Sequence, residues 1–316
     1  MSRAKSFLRV TQLIGVAMFA YILASLDLRQ VFHQLQQLRL EWVAAYAGLF
    51  AISLTAKGLR WNACLKSQKA DVAVGRVLGI AFVASFVGAV TPGRIGEVSK
   101  IAYLRQENMP LAKAAVSVVL DRLYDIILLC LFGLAGFAYF SSYFLSDVAT
   151  IILWISLLAV GLFFLVALRK RLWSLLKIVV RKTLSVDAYS SLADGWESFK
   201  SEMSIVLLSS APWMMFYSVI AYCAFFGQVY ALAVGFGISV PFVYLSLCLA
   251  LSSLISLLPI SIGGLGTREA TFIALLGKIS IPPESAVLIA FTDGVVLGLA
   301  FGALFALISS LYLKRR

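Results

Sequence analysis

The sequence predicts an all-α polytopic membrane protein with about six full spans and two Pro/Gly-broken re-entrant segments arranged as an inverted repeat. Three observations carry that prediction. The 316 residues are 61% apolar and only 13% charged, where soluble domains carry about 25% charged residues. Residues 203–267 form one stretch of 65 without a charged side chain, and a span needs only about 20 apolar residues, so this stretch must cross or re-enter more than once. Finally, two Pro/Gly-rich interruptions of related sequence fall inside otherwise apolar segments.

The first apolar segment, Val10 to Leu26, follows Arg3, Lys5 and Arg9, as a secretory signal would. With no convincing small-x-small cleavage site before Asp27, and the remainder of the chain itself a membrane bundle, the expectation is a retained anchor. Further full spans are predicted at 42–59, 111–140, 148–168, 205–234 and 285–313. The two broken stretches are 77–110 and 241–284, each an apolar arm, a Pro/Gly break with charges, and a short second arm. If each re-enters on its own side, one set of loops (1–9, 57–76, 169–204, 314–316) holds eighteen Lys and Arg, and the opposite set (27–41, 141–147, 235–240) holds two. The positive-inside rule then makes the first face cytoplasmic, both termini with it, in a plasma (inner) membrane. Two complete crossings per broken stretch would give the same parity.

On this reading residues 1–316 are a single transmembrane domain with approximate pseudo-repeats at 42–140 and 205–313. The segment 169–204, with Arg169, Lys170, Arg171, Lys177, Arg181 and Lys182 among Leu, Trp and Val, reads as an amphipathic linker on the anionic inner-leaflet headgroups. A regulatory or partner-binding helix is the other option there. The net charge of +12 sits beside spans, so it reports orientation and anionic lipid, with no nucleic acid implied.

The first break reads Thr91-Pro92-Gly93-Arg94-Ile95-Gly96-Glu97, and the second Pro259-Ile260-Ser261-Ile262-Gly263-Gly264-Leu265-Gly266-Thr267-Arg268-Glu269. Glu97 precedes Asp121 by 24 residues and Glu269 precedes Asp293 by 24, which an internal duplication explains. Proline removes an N–H and clashes with the preceding turn; glycine permits positive φ and close backbone approach. Non-helical backbone at membrane depth is tolerated only inside protein or along a wet cavity, so both breaks should line one. Helix N-termini after each break would offer free N–H groups to an anion. Arg94 and Arg268 would add guanidinium groups suited to phosphate, with Glu97 and Glu269 pairing them until substrate arrives. The plain alternative is an interfacial ion pair at the end of a hairpin.

Asp121, Arg122 and Asp125 interrupt the apolar run 114–140, and Asp293 interrupts the last span. Each charge at the bilayer centre costs about 2.5–3.5 kcal/mol on insertion scales, so these side chains should turn away from lipid. Asp121 and Asp125 share a helix face and would repel if both ionised, and Arg122 could compensate a different carboxylate. They read as a substrate-coordinating or proton-coupling network, or else as a structural ion pair. The lone His33 reads as an interfacial residue. Cys64, Cys130, Cys223 and Cys248 show no CxxC spacing, so neither a disulfide framework nor a metal knuckle is expected. Trp42, Trp61, Trp173, Trp196 and Trp213 read mostly as interfacial anchors. Ser252, Ser253 and Ser256 with Cys248 read as small-residue helix packing, with polar cavity lining as the lesser option.

At Pro92-Gly93-Arg94-Ile95-Gly96-Glu97, Asp121-Arg122 and Gly263-Gly264-Leu265-Gly266-Thr267-Arg268-Glu269 the chain resembles the lysylphosphatidylglycerol synthase transmembrane (flippase-like) family, over nearly its whole length. That resemblance implies a bundle with inward-facing re-entrant segments that translocates lysyl-phosphatidylglycerol or related lipids between leaflets. Full-length synthases of the family add a soluble aminoacyltransferase domain. Here Leu313-Lys314-Arg315-Arg316 follows the final span directly, so that activity is expected to be absent.

The expected function is therefore that of a lipid translocase acting on a phosphate-bearing phospholipid or polyprenyl-phosphate lipid, with no cofactor. No GxxxxGK[ST] loop is present, so movement would be downhill or ion-driven. The expected substrate contacts are Pro92, Gly93, Arg94, Gly96, Glu97, Asp121, Arg122, Asp125, Gly263, Gly264, Gly266, Thr267, Arg268, Glu269 and Asp293. An intramembrane enzyme using Asp121, Asp125 and Asp293 with a divalent metal is the alternative, and a small-solute transporter is the third. The partners expected are membrane phospholipids; a homo-oligomer stays open.

Overall fold

A computed structural model describes residues 19–22, 24, 29, 35–36, 38–144, 187–257, 261 and 263–314, and within these it is all helical. The elements are α1 (Leu40–Ser67), α2 (Val74–Ala89), a 3-10 turn (Pro92–Val98), α3 (Ser99–Gln106) and α4 (Leu111–Phe144). They continue with α5 (Asp187–Gly235), α6 (Phe242–Ile255), α7 (Thr267–Leu276), α8 (Pro283–Phe291), a π-helical turn (Thr292–Leu297) and α9 (Gly298–Lys314). His33, Trp173 and the predicted span 148–168 lie outside the described residues, as does most of the segment Val10 to Leu26.

Four stretches are long and apolar enough to cross a bilayer: Leu40–Ser67, Leu111–Phe140, Ser209–Gly235 and Pro283–Lys314. They coincide with the predicted spans 42–59, 111–140, 205–234 and 285–313. The chain is a polytopic helical membrane protein. Two boundaries differ from expectation. Helix α1 continues eight residues past 59, because Arg60 and Asn62 find buried partners and surroundings inside the bundle, so the predicted loop 57–76 begins as helix. Helix α5 begins at Asp187, so the second half of the predicted linker 169–204 is continuous with the following span, and Pro212 sits inside that helix.

The broken stretches divide, as expected, into shorter helical arms on either side of each break. At about 1.5 Å per residue, the 16 residues of α2 and 14 of α6 reach about 24 and 21 Å, against a hydrocarbon core of about 30 Å. The second arms, α3 and α7, have 8 and 10 residues.

The packing pairs each half with the other. Helix α1 lies along α5, α2 packs on α9, and α6 packs on α4. Aromatic contacts repeat the exchange: Tyr46 and Phe50 of α1 meet Phe301 and Phe305 of α9, while Tyr222 and Phe226 of α5 meet Phe132 of α4. Two buried tyrosines follow the same rule. Tyr46 donates to the Asp293 carbonyl at 3.1 Å, and Tyr222 donates to the Asp125 carbonyl at 3.1 Å. In a bilayer, where burial from water gives helices little reason to associate, such interdigitated contacts and interhelical hydrogen bonds hold the bundle together.

Candidate functional site

Both breaks end at one cavity of about 410 Å³ between α1, α2, α5 and the π-helical turn. Ala89, Arg94 and Glu97 line it from the first break, and Gly263, Gly264, Arg268 and Glu269 from the second. The approach is close enough that a side chain at Gly263 would meet the Ala89 carbonyl at 2.9 Å.

The local chemistry of the first break makes it rigid. Thr91 caps it twice over, donating its hydroxyl to the Val87 carbonyl at 2.9 Å and accepting from the Gly96 N–H at 2.8 Å. Gly96 is there for contact: a Cβ would sit 2.5 Å from the Val87 carbonyl oxygen. The left-handed backbone at this break falls on Arg94, with φ 55°. That conformation is uncommon for a residue with a Cβ, and it holds the guanidinium out into the cavity.

In the second break Gly263, Gly264 and Gly266 have φ of 61°, 85° and 83°. Glu269 folds back to accept from the Gly266 N–H at 2.6 Å, and Thr267 joins Ser261 at 3.0 Å. At each break one of the N–H groups expected to be free for an anion is therefore occupied. The Gly96 and Gly266 amides are already taken by Thr91 and Glu269, which lie within reach in sequence and cap their own turns.

The expected pairing of each arginine with the glutamate three or one residues on is corrected too. Glu97 pairs instead with Lys100 at 3.4 Å and Arg122 at 2.5 Å. Among the described residues the Arg94 guanidinium has no hydrogen-bond or ion-pair partner. Arg268 gives its Nη1 to Asp293 at 2.9 Å, and its Nε is buried without a partner. Asp293 also accepts from Tyr46 at 3.0 Å and Gln228 at 3.1 Å, and it is the second residue of the π-helical turn, a distortion frequent at functional sites.

Asp121 and Asp125 do not repel, because a residue the sequence reading placed in a loop lies between them. The fully buried Arg60 reaches Asp121 at 2.6 Å and Asp125 at 2.7 Å. Lys100 adds 2.6 Å to Asp121, and Arg122 adds 2.7 Å to Asp125. Asp121 therefore sits behind the cavity, within the network that ties α1 and α4 to the first break. Lys57, one turn before Arg60 and lining the cavity, lies 4.0 Å from Asp125 and 5.7 Å from the Tyr222 ring. Arg60, Lys57, Lys100, Tyr46 and Gln228 escaped the sequence reading. The available signal was i,i+3 spacing: Lys57 and Arg60 share a helix face if the span is run past 59.

Two smaller expectations also shift. Trp61 is wholly buried, donating to Ser117 at 3.2 Å, and so is no interfacial anchor, whereas Trp213 is 60% exposed on the outer face. Ser252 and Cys248 are buried in helix packing as expected, but Ser253 lines a small chamber beside the cavity. Among the described residues no three His, Cys, Asp or Glu side chains group closely enough to hold a metal ion. Asp121 and Asp125 converge on Arg60, on a different wall from Asp293.

Spans, broken arms and a charged internal cavity define a polytopic membrane domain built around a buried polar site. The chain belongs to the family described as the lysylphosphatidylglycerol synthase TM region, whose model matches residues 10–308. This makes it an integral membrane protein of a lipid-related family. It is also similar to the UPF0104 membrane protein PH1989 of Pyrococcus horikoshii, 24% identical over 131 residues, which is 40% of this chain and 39% of that one. The chain thus spans about two fifths of the length of that relative.

Proposed function

We propose that this protein is a lipid translocase that carries a phosphate-bearing lipid headgroup between leaflets through the cavity where the two breaks meet. The single observation behind the proposal is the Arg94 guanidinium, held in the cavity by a strained backbone and, among the described residues, without a counter-charge. Arg94 is exposed, so its guanidinium is accessible to a ligand, and ionisable residues within a membrane domain are kept where they bind or move something. Arg268 lines the same cavity, tethered to Asp293 through Nη1, and adds a second guanidinium to its wall.

On this reading the broken arms are re-entrant and the two halves form an inverted repeat. The exchange of packing partners between halves and the short lengths of α2, α3, α6 and α7 support it. Both termini then face the cytoplasm. Lys57 and Arg60 leave the loop count, and the remaining sixteen Lys and Arg against two keep the same orientation. An acid cluster for metal-dependent lipid chemistry would need Asp121, Asp125 and Asp293 together, and their separation in two networks favours transport.

The test is transbilayer exchange of fluorescent anionic and zwitterionic lipids in proteoliposomes, followed by quenching of the outer leaflet. Exchange faster than in protein-free vesicles, at least about tenfold slower in Arg94→Ala and Arg268→Ala (1.4 kcal/mol per tenfold), is the expected result. No exchange of any lipid, with or without an ion gradient, would sink the proposal.

A further inference from the structure

Beside the main cavity lies a chamber of about 80 Å³, a fifth of its size, lined by Lys57, Arg94, Arg122, Asp125, Ser253 and Tyr222. Lys57 and Arg94 belong to both spaces and stand between them. The chamber is too small for a lipid headgroup.

Its charge does not balance. Around it, Lys57, Arg60, Arg94, Lys100 and Arg122 make five cations, and Glu97, Asp121 and Asp125 make three carboxylates. Each carboxylate is already shared: Asp121 between Arg60 and Lys100, Asp125 between Arg60 and Arg122, Glu97 between Lys100 and Arg122. The surplus falls on the two residues at the chamber's mouth, Arg94 and Lys57, the latter only loosely associated with Asp125 at 4.0 Å. The walls also hold two buried polar atoms without partners, the Arg122 Nε and the Ser253 Oγ, both able to donate. A surplus of donors and positive charge gathered at one chamber favours an anion there.

We propose that this chamber binds a small inorganic anion of halide size, held by Lys57, Arg94 and Arg122 with the Ser253 hydroxyl. The site adjoins the headgroup cavity and shares Lys57 and Arg94 with it, while Arg122 and Ser253 belong to the chamber alone; it stands whether or not that cavity carries a lipid. Bound there, the anion neutralises the gatepost residues Lys57 and Arg94 when no phosphate lies beside them.

The experiment uses the full chain purified in detergent, with bromide as the probe. Thermal unfolding is followed in sodium bromide titrated against sodium gluconate at constant ionic strength. The expected result is a saturable rise in unfolding temperature, with the half-saturating bromide concentration raised at least about tenfold in Lys57→Ala and Arg94→Ala. A rise that does not saturate, or that is equal in both variants, overturns the proposal. Because a variant can fail to fold, crystals of the unsubstituted protein grown in bromide supply the second measurement. Anomalous density among Lys57, Arg94 and Arg122 supports the site, and bromide found only elsewhere refutes it.

Discussion

The first break carries its left-handed backbone on Arg94, whereas the second places it on Gly263, Gly264 and Gly266. The charged partners are reversed as well. In the first break a carboxylate, Glu97, is clamped by Lys100 and Arg122, leaving the arginine loose. In the second the arginine, Arg268, is clamped by Asp293, and Glu269 is spent on a backbone amide. Two segments of related sequence thus present a free guanidinium on one side of the cavity and a tethered one on the other. The difference teaches that a repeated motif preserves the bend while its charges are free to serve anchoring in one copy and binding in the other.

The strongest way to break that comparison is to cut the anchor behind the first break. Arg60→Met leaves two buried carboxylates short of a partner and is expected to cost about 3–5 kcal/mol, seen as a collapse of folded yield in detergent by size exclusion. Adding Asp125→Asn to it should recover part of the loss. Arg268→Ala is expected to cost less, about 1–3 kcal/mol, because Asp293 keeps the Tyr46 and Gln228 donors; thermal unfolding would measure it, and a loss as large as that of Arg60→Met would remove the distinction between the two anchors.

Gly264→Ala tests the second break's backbone. Its Cβ would come within 2.5 Å of the Ser256 hydroxyl at a φ of 85°. A loss of about 1–2 kcal/mol follows from the conformation alone, with Ser256→Ala relieving only the contact part in the unfolding temperature. The smallest stability effect sharpens the comparison most. Arg94→Gly relieves the backbone and is expected to be neutral or to stabilise by up to about 1 kcal/mol, while lipid exchange falls as in Arg94→Ala. Destabilisation by Arg94→Gly would instead make Arg94 a structural residue.

Much of the bundle was legible in composition and charge. Predominantly apolar runs of spanning length mark α1, α4, α5 and α8 through α9, since hydrocarbon admits little else. The breaks at Thr91–Glu97 and Gly263–Glu269 were legible because proline and glycine act locally. Arg60 was misread as a loop residue because its cost depends on Asp121 and Asp125, 61 and 65 residues away. Trp61 was misread for a similar reason: its burial against Ser117 belongs to a neighbouring helix.

By itself, then, the sequence determined the membrane as solvent, the spans and the places where helices stop, because backbone hydrogen bonding and hydropathy act within a few residues of each position. Only the tertiary structure decided which charges cancel and which stay available, leaving Arg94 without a partner among the described residues while Arg60 and Arg268 are bound. That choice rests on distances between helices, and electrostatic energy in a low-dielectric interior changes with every ångström of separation.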